Sequence, residues 1–216
     1  MRGLYPIVDV DSLQAAEPPL GIVAFAERVL EARPPLLQLR AKHSDTRDTL
    51  ALLRALRPLC TAAGTLLFAN DRADLAVLAQ CDGVHIGQED LPLSVVRMIG
   101  PGLRVGVSTH DLDQLESALA GKPDYVAFGP VFGTVSKERP DPTVGVERLV
   151  LAFNATRAAG IPLVAIGGIT LERAKTIAGH CDLAAVIAAL QPNRGSLEGV
   201  TEAASALHAA LSAPRN

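Results

Sequence analysis

Residues 66–90 read LLFANDRADLAVLAQCDGVHIGQED, and this pattern predicts one strand–helix–strand unit. Two short apolar runs, 66–69 and 83–86, have the length of buried strands, and residues 74–80 between them resemble a short helix. Asn70 and Asp71 follow the first run, and Asp90 follows the second. If the two strands are parallel neighbours, their ends lie about 5 Å apart. Two carboxylates at that spacing could bind one hard cation such as Mg²⁺, although each aspartate could instead cap the following helix.

The same alternation of an apolar run and a helical pattern extends along the chain. Predicted strands cover residues 4–8, 36–39, 65–69, 83–86, 103–107, 124–128, 162–166 and 183–187. Predicted helices cover residues 21–32, 48–63, 74–80, 92–99, 111–120, 146–159, 171–178 and 197–211. Strict alternation predicts a parallel sheet, and eight units predict a single α/β domain, a (β/α)8 TIM barrel over residues 1–216. The rival, an open doubly wound sheet, usually carries a G-x-G-x-x-G turn after its first strand, and this sequence has none.

Composition narrows the class of protein. Of the 216 residues, 49% are hydrophobic and 20% charged, which is typical of a packed globular chain. Aromatic residues make up only 3% and the net charge is −3, so a nucleic-acid partner is not expected. The three cysteines form no C-x-x-C pair, and no apolar run is long enough for a signal peptide or a membrane span. We expect a cytoplasmic protein whose partners are small molecules. Whether it forms a homo-oligomer is left open by the sequence.

Polar and small residues follow the predicted strands. In a barrel the carboxyl ends of all strands lie on one face, where active sites of this fold are found. The residues concerned are Gln38, Arg40, Lys42, Asn70, Asp71, Asp90, Ser108, His110, Thr134, Ser136, Lys137, Gly167 and Gly168. Arg40, Lys42 and Lys137 would together suit a diphosphate, although each alone could be a solvated surface charge. Gly167 and Gly168 would let backbone N–H groups approach an anion or would only form a tight turn.

Several motifs resemble those of one enzyme family. They are LYPIVD at 4–9, QLRAK at 38–42, NDRADLA at 70–76, DGVHIGQEDLP at 82–92, STH at 108–110, GPVF at 129–132, Lys137, and AIGGI at 165–169. In this order they are similar to the thiamine phosphate synthase/thiazole tautomerase superfamily, and the GVHIGQED run is the most specific of them. The resemblance implies a barrel fold, in agreement with the strand count.

The resemblance also implies a reaction and a set of site residues. A hydroxymethylpyrimidine diphosphate would be joined to a thiazole phosphate, giving thiamine phosphate and diphosphate. Mg²⁺ would be bound by Asp71 and Asp90. The pyrimidine diphosphate would be held by Gln38, Arg40, Lys42, Asn70, Ser108 and Lys137, of which Lys42, Lys137 and Ser108 would be catalytic. The thiazole phosphate would be bound by Thr134, Ser136, Gly168, Ile187 and Ala188.

Two other functions remain open at this point. The sister activity, thiazole tautomerase, is an isomerase on the same fold, and it does not need the two carboxylates. A non-catalytic barrel that binds a phosphate ligand is the second, because Ala188 stands where the family usually has serine.

Overall fold

The predicted barrel is confirmed by the structure, a computed structural model that describes residues 1–133, 142–191, 193 and 195–214. Eight parallel strands pair in sequence order, and β1 pairs with β8 to close the sheet. The strands are β1 Gly3–Asp9, β2 Leu36–Arg40, β3 Leu66–Asn70, β4 Gly83–Ile86, β5 Arg104–Thr109, β6 Tyr125–Phe128, β7 Leu163–Ile166 and β8 Leu183–Val186. The helices are α1 Val10–Gln14, α2 Ile22–Leu30, α3 Thr46–Ala63, α4 Ala73–Leu78, α5 Leu93–Ile99, α6 Leu112–Ala120, α7 Gly145–Ala159, α8 Leu171–Ile177 and α9 Val200–Ser212.

One helix and one helical turn were not predicted. No helix was predicted between β1 and residue 21, but this segment begins with α1. The Asp9 side chain accepts a hydrogen bond from the Ser12 N–H at 2.9 Å, and Val10 and Leu13 are buried. The N-cap and two buried side chains therefore stabilise these five residues as a helix. The eighth strand ends at Val186, one residue earlier than predicted, and a 3₁₀ turn, Ala188–Leu190, follows it.

Alternation along the strands divides the core into two parts. The larger part lies between the strands and the surrounding helices. The smaller part fills the barrel interior, and its buried members are Tyr5, Ile7, Leu36, Phe68, Tyr125, Ala127, Val164, Leu183 and Ala185. Successive side chains of a strand point to opposite faces, so a residue two positions after an inward-pointing one also points inward, nearer the carboxyl end of the strand. This parity directs Gln38, Asn70 and His85 into the barrel.

Three aspartates hold the opposite, amino-terminal face together. Asp82, Asp124 and Asp182 precede β4, β6 and β8, and each accepts a hydrogen bond from a backbone N–H of the preceding strand. The donors are Leu67 at 2.8 Å, Val105 at 2.8 Å and Leu163 at 2.9 Å. The aspartate N–H groups return a bond to the carbonyl oxygens of the same three residues. These reciprocal hydrogen bonds join neighbouring strands at the amino-terminal face of the barrel, opposite the carboxyl-terminal face. No helix among the described residues is long and apolar enough to cross a membrane.

Candidate active site

The structure places the predicted site residues within the described ranges on one face of the barrel. Gln38 lies within β2, Arg40 and Asn70 end β2 and β3, and Ser108 lies near the end of β5. The loops that follow carry Lys42, Asp71, Asp90, Gly168 and Ile187, and Ala188 begins the 3₁₀ turn after β8. Thr134, Ser136 and Lys137 lie outside the described residues, so their predicted roles stay predictions.

Asp71 and Asp90 form an interacting pair of carboxylates. Burial raises the pKa of Asp71, and the adjacent Asp90 raises it further, while the Lys42 ammonium opposes both effects. The Lys42 Nζ forms an ion pair with Asp71 Oδ2. Asp90 Oδ2 accepts the Gly87 N–H at 2.6 Å, and the Asp71 N–H donates to the carbonyl oxygen of His85 at 2.7 Å. Two carboxylates held this closely favour a cation between them, because each destabilises the charge of the other.

The pair fits a cation that completes its shell with other ligands. Within the described ranges, no group of three or more His, Cys, Asp or Glu side chains could hold a metal ion. A cation bound by one or two carboxylates, with water and phosphate oxygens as its remaining ligands, is the usual arrangement for Mg²⁺. Asp71 and Asp90 are therefore residues of this face that could hold a metal.

Arg40 has carboxylate partners that the sequence did not reveal. Its Nη1 forms an ion pair with the buried Asp9, and it lies 3.9 Å from Asp11 Oδ2. The register of β1 and β2 places Asp9 directly beside Arg40. His43 Nδ1 also lies 3.1 Å from Asp11 Oδ2. Arg40 was predicted to balance an anion, but in the structure Asp9 already holds its guanidinium at the edge of the site. The motif IVDVD at 7–11 was the available signal.

A chain of polar side chains crosses the barrel interior below the mouth. Ser108 Oγ lies 2.8 Å from His85 Nε2, and His85 Nδ1 lies 2.9 Å from the Tyr125 hydroxyl. The Tyr125 and Tyr5 hydroxyls are 2.7 Å apart. Neither tyrosine was predicted as a site residue. Burial lowers the pKa of His85 to about 4, so its ring is neutral near pH 7.

The chain continues from Tyr5 to two predicted substrate-binding residues. The Tyr5 hydroxyl donates to Gln38 Oε1 at 2.7 Å, and Gln38 Nε2 donates to Asn70 Oδ1 at 3.2 Å. Tyr5 and Tyr125 are fully enclosed, and burial raises the pKa of both phenols. Both hydroxyls therefore stay protonated, and both can act as hydrogen-bond donors.

The glycine pair after β7 packs against the loop after β6. Gly168 has φ of 63°, and a Cβ there would collide with the carbonyl oxygen of Gly133. Arg173 Nη1 donates to the Gly168 carbonyl oxygen at 2.6 Å and lies over the Phe132 ring, 4.8 Å from its centroid. The close approach of two loops is therefore a sufficient reason for glycine at this position. His110, a candidate for a polar role, lies with Nδ1 2.7 Å from the Gly129 carbonyl oxygen.

Comparison with known proteins identifies the family of this chain. The family described as thiamine monophosphate synthase matches residues 4–190, which is most of the chain. The chain belongs to the thiamine monophosphate synthase family. The predicted family and its predicted class, a transferase of thiamine biosynthesis, are thereby confirmed, and the isomerase is not favoured.

Individual members of the thiamine monophosphate synthase family are similar over nearly the whole chain. The thiamine-phosphate synthase of Koribacter versatilis (strain Ellin345) is 44% identical over 190 residues, covering 87% of this chain and 88% of that protein. The thiamine-phosphate synthase of Myxococcus xanthus (strain DK1622) is 39% identical over 184 residues, covering 83% and 81%. A solved structure, thiamine phosphate pyrophosphorylase from Pyrococcus furiosus, superimposes with a TM-score of 0.83 at 30% identity and covers 97% of this chain and 95% of that one.

Proposed function

We propose that the protein condenses 4-amino-5-hydroxymethyl-2-methylpyrimidine diphosphate with hydroxyethylthiazole phosphate, or its carboxylated form, to give thiamine phosphate and diphosphate. The observation that carries the proposal is the Asp71–Asp90 pair, held at the barrel mouth beside Lys42. A diphosphate group with a divalent cation is the ligand that complements two carboxylates and an ammonium at one place.

Asp71 and Asp90 would hold Mg²⁺. The bound ion would neutralise charge that develops on the departing diphosphate. Lys42 is 43% exposed at its side chain, so it can exchange its partner Asp71 for a phosphate oxygen. Arg40 is held by Asp9 and would face the same group with a fixed guanidinium. Lys137 would add a further positive charge from the loop after β6, in keeping with the motif that contains it.

The chemistry proposed here needs no general base. The amino group of the pyrimidine pushes electrons towards the exocyclic methylene, diphosphate leaves, and the thiazole nitrogen captures the delocalised cation. A site for such a reaction must hold the two substrates in line and stabilise the leaving group. The neutral, buried ring of His85 suits this requirement, since it supplies neither a proton nor a charge at neutral pH.

Gln38, Asn70 and Ser108 would contact the pyrimidine half of the site, at the ends of β2, β3 and β5. The thiazole phosphate would lie towards β6, β7 and β8. Gly168, Ile187 and Ala188 would bind it there together with Thr134 and Ser136. Ile187 packs against the interior layer of the barrel, and the exposed Ala188 follows it.

Diphosphate release from purified protein tests the proposal. The protein is given both substrates with and without Mg²⁺, and thiamine phosphate is measured in the same samples. We expect both products only with Mg²⁺, and loss of both in Asp71→Ala. The matched control is Asp113→Ala, which removes an exposed carboxylate from α6 and should retain full activity. Release that is absent, or that is unaffected by Mg²⁺ and by Asp71→Ala, would contradict the proposed reaction.

A further inference from the structure

The polar chain beneath the mouth has a single direction, which follows from counting its protons. The Tyr5 hydroxyl has one hydrogen, and it is donated to Gln38 Oε1. The contact between the two tyrosines must then use the hydrogen of Tyr125, because that of Tyr5 is already engaged. With its own hydrogen given to Tyr5, Tyr125 can only accept from His85, so Nδ1 of that ring carries the proton.

The same count continues to Ser108. A neutral imidazole with its proton on Nδ1 has a lone pair on Nε2, so Nε2 accepts a hydrogen bond and Ser108 Oγ donates it. The Ser108 hydroxyl hydrogen is therefore directed into the barrel. What Ser108 can offer to a ligand at the mouth is the lone pairs of its oxygen.

At the other end, the direction determines what Asn70 offers. Its Oδ1 accepts from Gln38 Nε2 at 3.2 Å, which directs its amide oxygen towards β2. The amide N–H groups of Asn70 are then the part available to a ligand. The two ends of one chain thus present opposite polarities, an acceptor at Ser108 and a donor at Asn70.

Tight packing keeps the chain in place. The Tyr125 ring stacks on His85 at a centroid distance of 5.7 Å and meets the Tyr5 ring edge-on at 5.8 Å. It also lies 5.6 Å from Phe68. A Cβ at Gly106 would overlap the Tyr125 ring, so only glycine leaves room for the ring beside β5. The Tyr125 hydroxyl is therefore held where it can meet both Tyr5 and His85.

We propose that Tyr125 is a positioning residue: its hydroxyl sets the direction of the chain from Ser108 to Asn70, so that the mouth offers an acceptor at Ser108 and a donor at Asn70. Ser108 then holds an N–H group, such as an amine or an ammonium, and not a phosphate oxygen, which would need the hydroxyl hydrogen. This inference rests on the proposed function only for the identity of the ligand. The direction of the hydrogen-bond chain follows from the protein's own side chains and does not depend on a ligand.

The tautomer of His85 is the direct measurement, and it requires no substrate. In ¹⁵N-labelled protein, long-range ¹H–¹⁵N correlations distinguish a ring protonated at Nδ1 from one protonated at Nε2. We expect the Nδ1–H form in the protein alone and with the pyrimidine diphosphate and Mg²⁺ bound. An Nε2–H form in either state would overturn the proposal, whether or not the protein proves to be active as a synthase.

Two phenylalanine variants separate positioning from a merely structural role. In Tyr125→Phe, His85 Nδ1–H loses its acceptor, so the ring should change to the Nε2–H form and donate to Ser108. In Tyr5→Phe, the Tyr125 hydrogen loses its acceptor and turns to His85 Nδ1, so the ring should also change to the Nε2–H form while the Gln38 amide is released. Each variant should raise the KM for the pyrimidine diphosphate by about 3- to 10-fold, the worth of one hydrogen bond, and leave the KM for the thiazole phosphate unchanged.

Thr156→Val is the matched control, since it also removes one buried hydroxyl, from α7, where Thr156 donates to the carbonyl oxygen of Phe153. It should change neither KM nor the tautomer. Equal increases of both KM values in the phenylalanine variants, or no increase, would contradict the positioning role. If Tyr125→Phe does not fold, the wild-type tautomer and the kinetics of Tyr5→Phe still decide the question.

Discussion

Removal of the Asp82 carboxylate should destabilise the barrel without altering its chemistry. The side chain is 23% exposed, accepts the Leu67 N–H at 2.8 Å and forms an ion pair with Arg57 at 2.5 Å. In Asp82→Ala the N–H of the fully buried Leu67 has no acceptor, which costs about 1–3 kcal/mol. The lost, partly exposed ion pair adds up to about 1 kcal/mol. A total near 2–3 kcal/mol corresponds to a fall of about 4–12 °C in Tm for a chain of this size.

Urea unfolding followed by circular dichroism measures the free energy of unfolding of Asp82→Ala, Asp82→Asn and Asp124→Ala. Asp82→Asn keeps an acceptor for the backbone and should lose less than the alanine variant. Asp124 makes the equivalent bond to Val105 but is exposed, so water can replace its carboxylate and the loss should be smaller. The activity of all three folded variants should be unchanged, because these residues lie on the face opposite the site. An Asp124→Ala variant that loses as much stability as Asp82→Ala would refute the argument from burial.

Three further predictions concern the site and the chain termini. Asp71→Asn removes a carboxylate whose pKa is raised by burial and by Asp90, so the Tm of the variant without Mg²⁺ should be above that of wild type. Calorimetry should show no further rise in the Tm of the variant when Mg²⁺ is added. A Mg²⁺-dependent rise would contradict the assignment of Asp71 as a metal ligand. His208 Nδ1 accepts the Leu4 N–H at 3.3 Å, and burial lowers the pKa of His208, so its contribution to stability is present above about pH 6.5 and lost as pH falls through the folded pKa. The difference in free energy of unfolding between wild type and His208→Gln should therefore narrow from about pH 7 to pH 5. A constant difference would contradict this role of His208. Gly168→Ala places a side chain against Gly133 and should raise the KM for the thiazole phosphate but not that for the pyrimidine diphosphate; equal effects on both would place Gly168 elsewhere.

The barrel was predictable because its signal is local and repeated. Each apolar run of four or five residues, followed by an amphipathic helix, indicates one unit, and small errors in the strand bounds do not change the count. The predicted strand 83–86 agrees with β4 Gly83–Ile86, and the predicted helix 48–63 begins two residues late. The exception, α1, depends on the Asp9 cap and on burial beneath its neighbours, which residue polarity alone does not reveal.

The face that carries the candidate site was predictable for the same reason. Residues that end parallel strands must share one face once the sheet closes, so Asn70, Asp71, Asp90 and Ser108 were brought together by topology. Their electrostatic partners were not predictable. Arg40 and Lys42 were both expected to await an anion, yet each forms an ion pair with an aspartate, Asp9 and Asp71. Which of several charges pairs with which depends on distances that differ by a few ångströms.

The number of strand–helix units, the residues at the strand ends and the family could all be predicted from the sequence, because these features are read along the chain. The interior chain of hydrogen bonds from Ser108 to Asn70 is seen only in the folded barrel. Its central hydrogen bond joins Tyr5 and Tyr125, which are 120 residues apart. They meet because closure of the barrel brings the inward-pointing positions of β1 and β6 to the same level, where both side chains are buried. Each buried hydroxyl must then find a partner within the protein, and that requirement selects one arrangement.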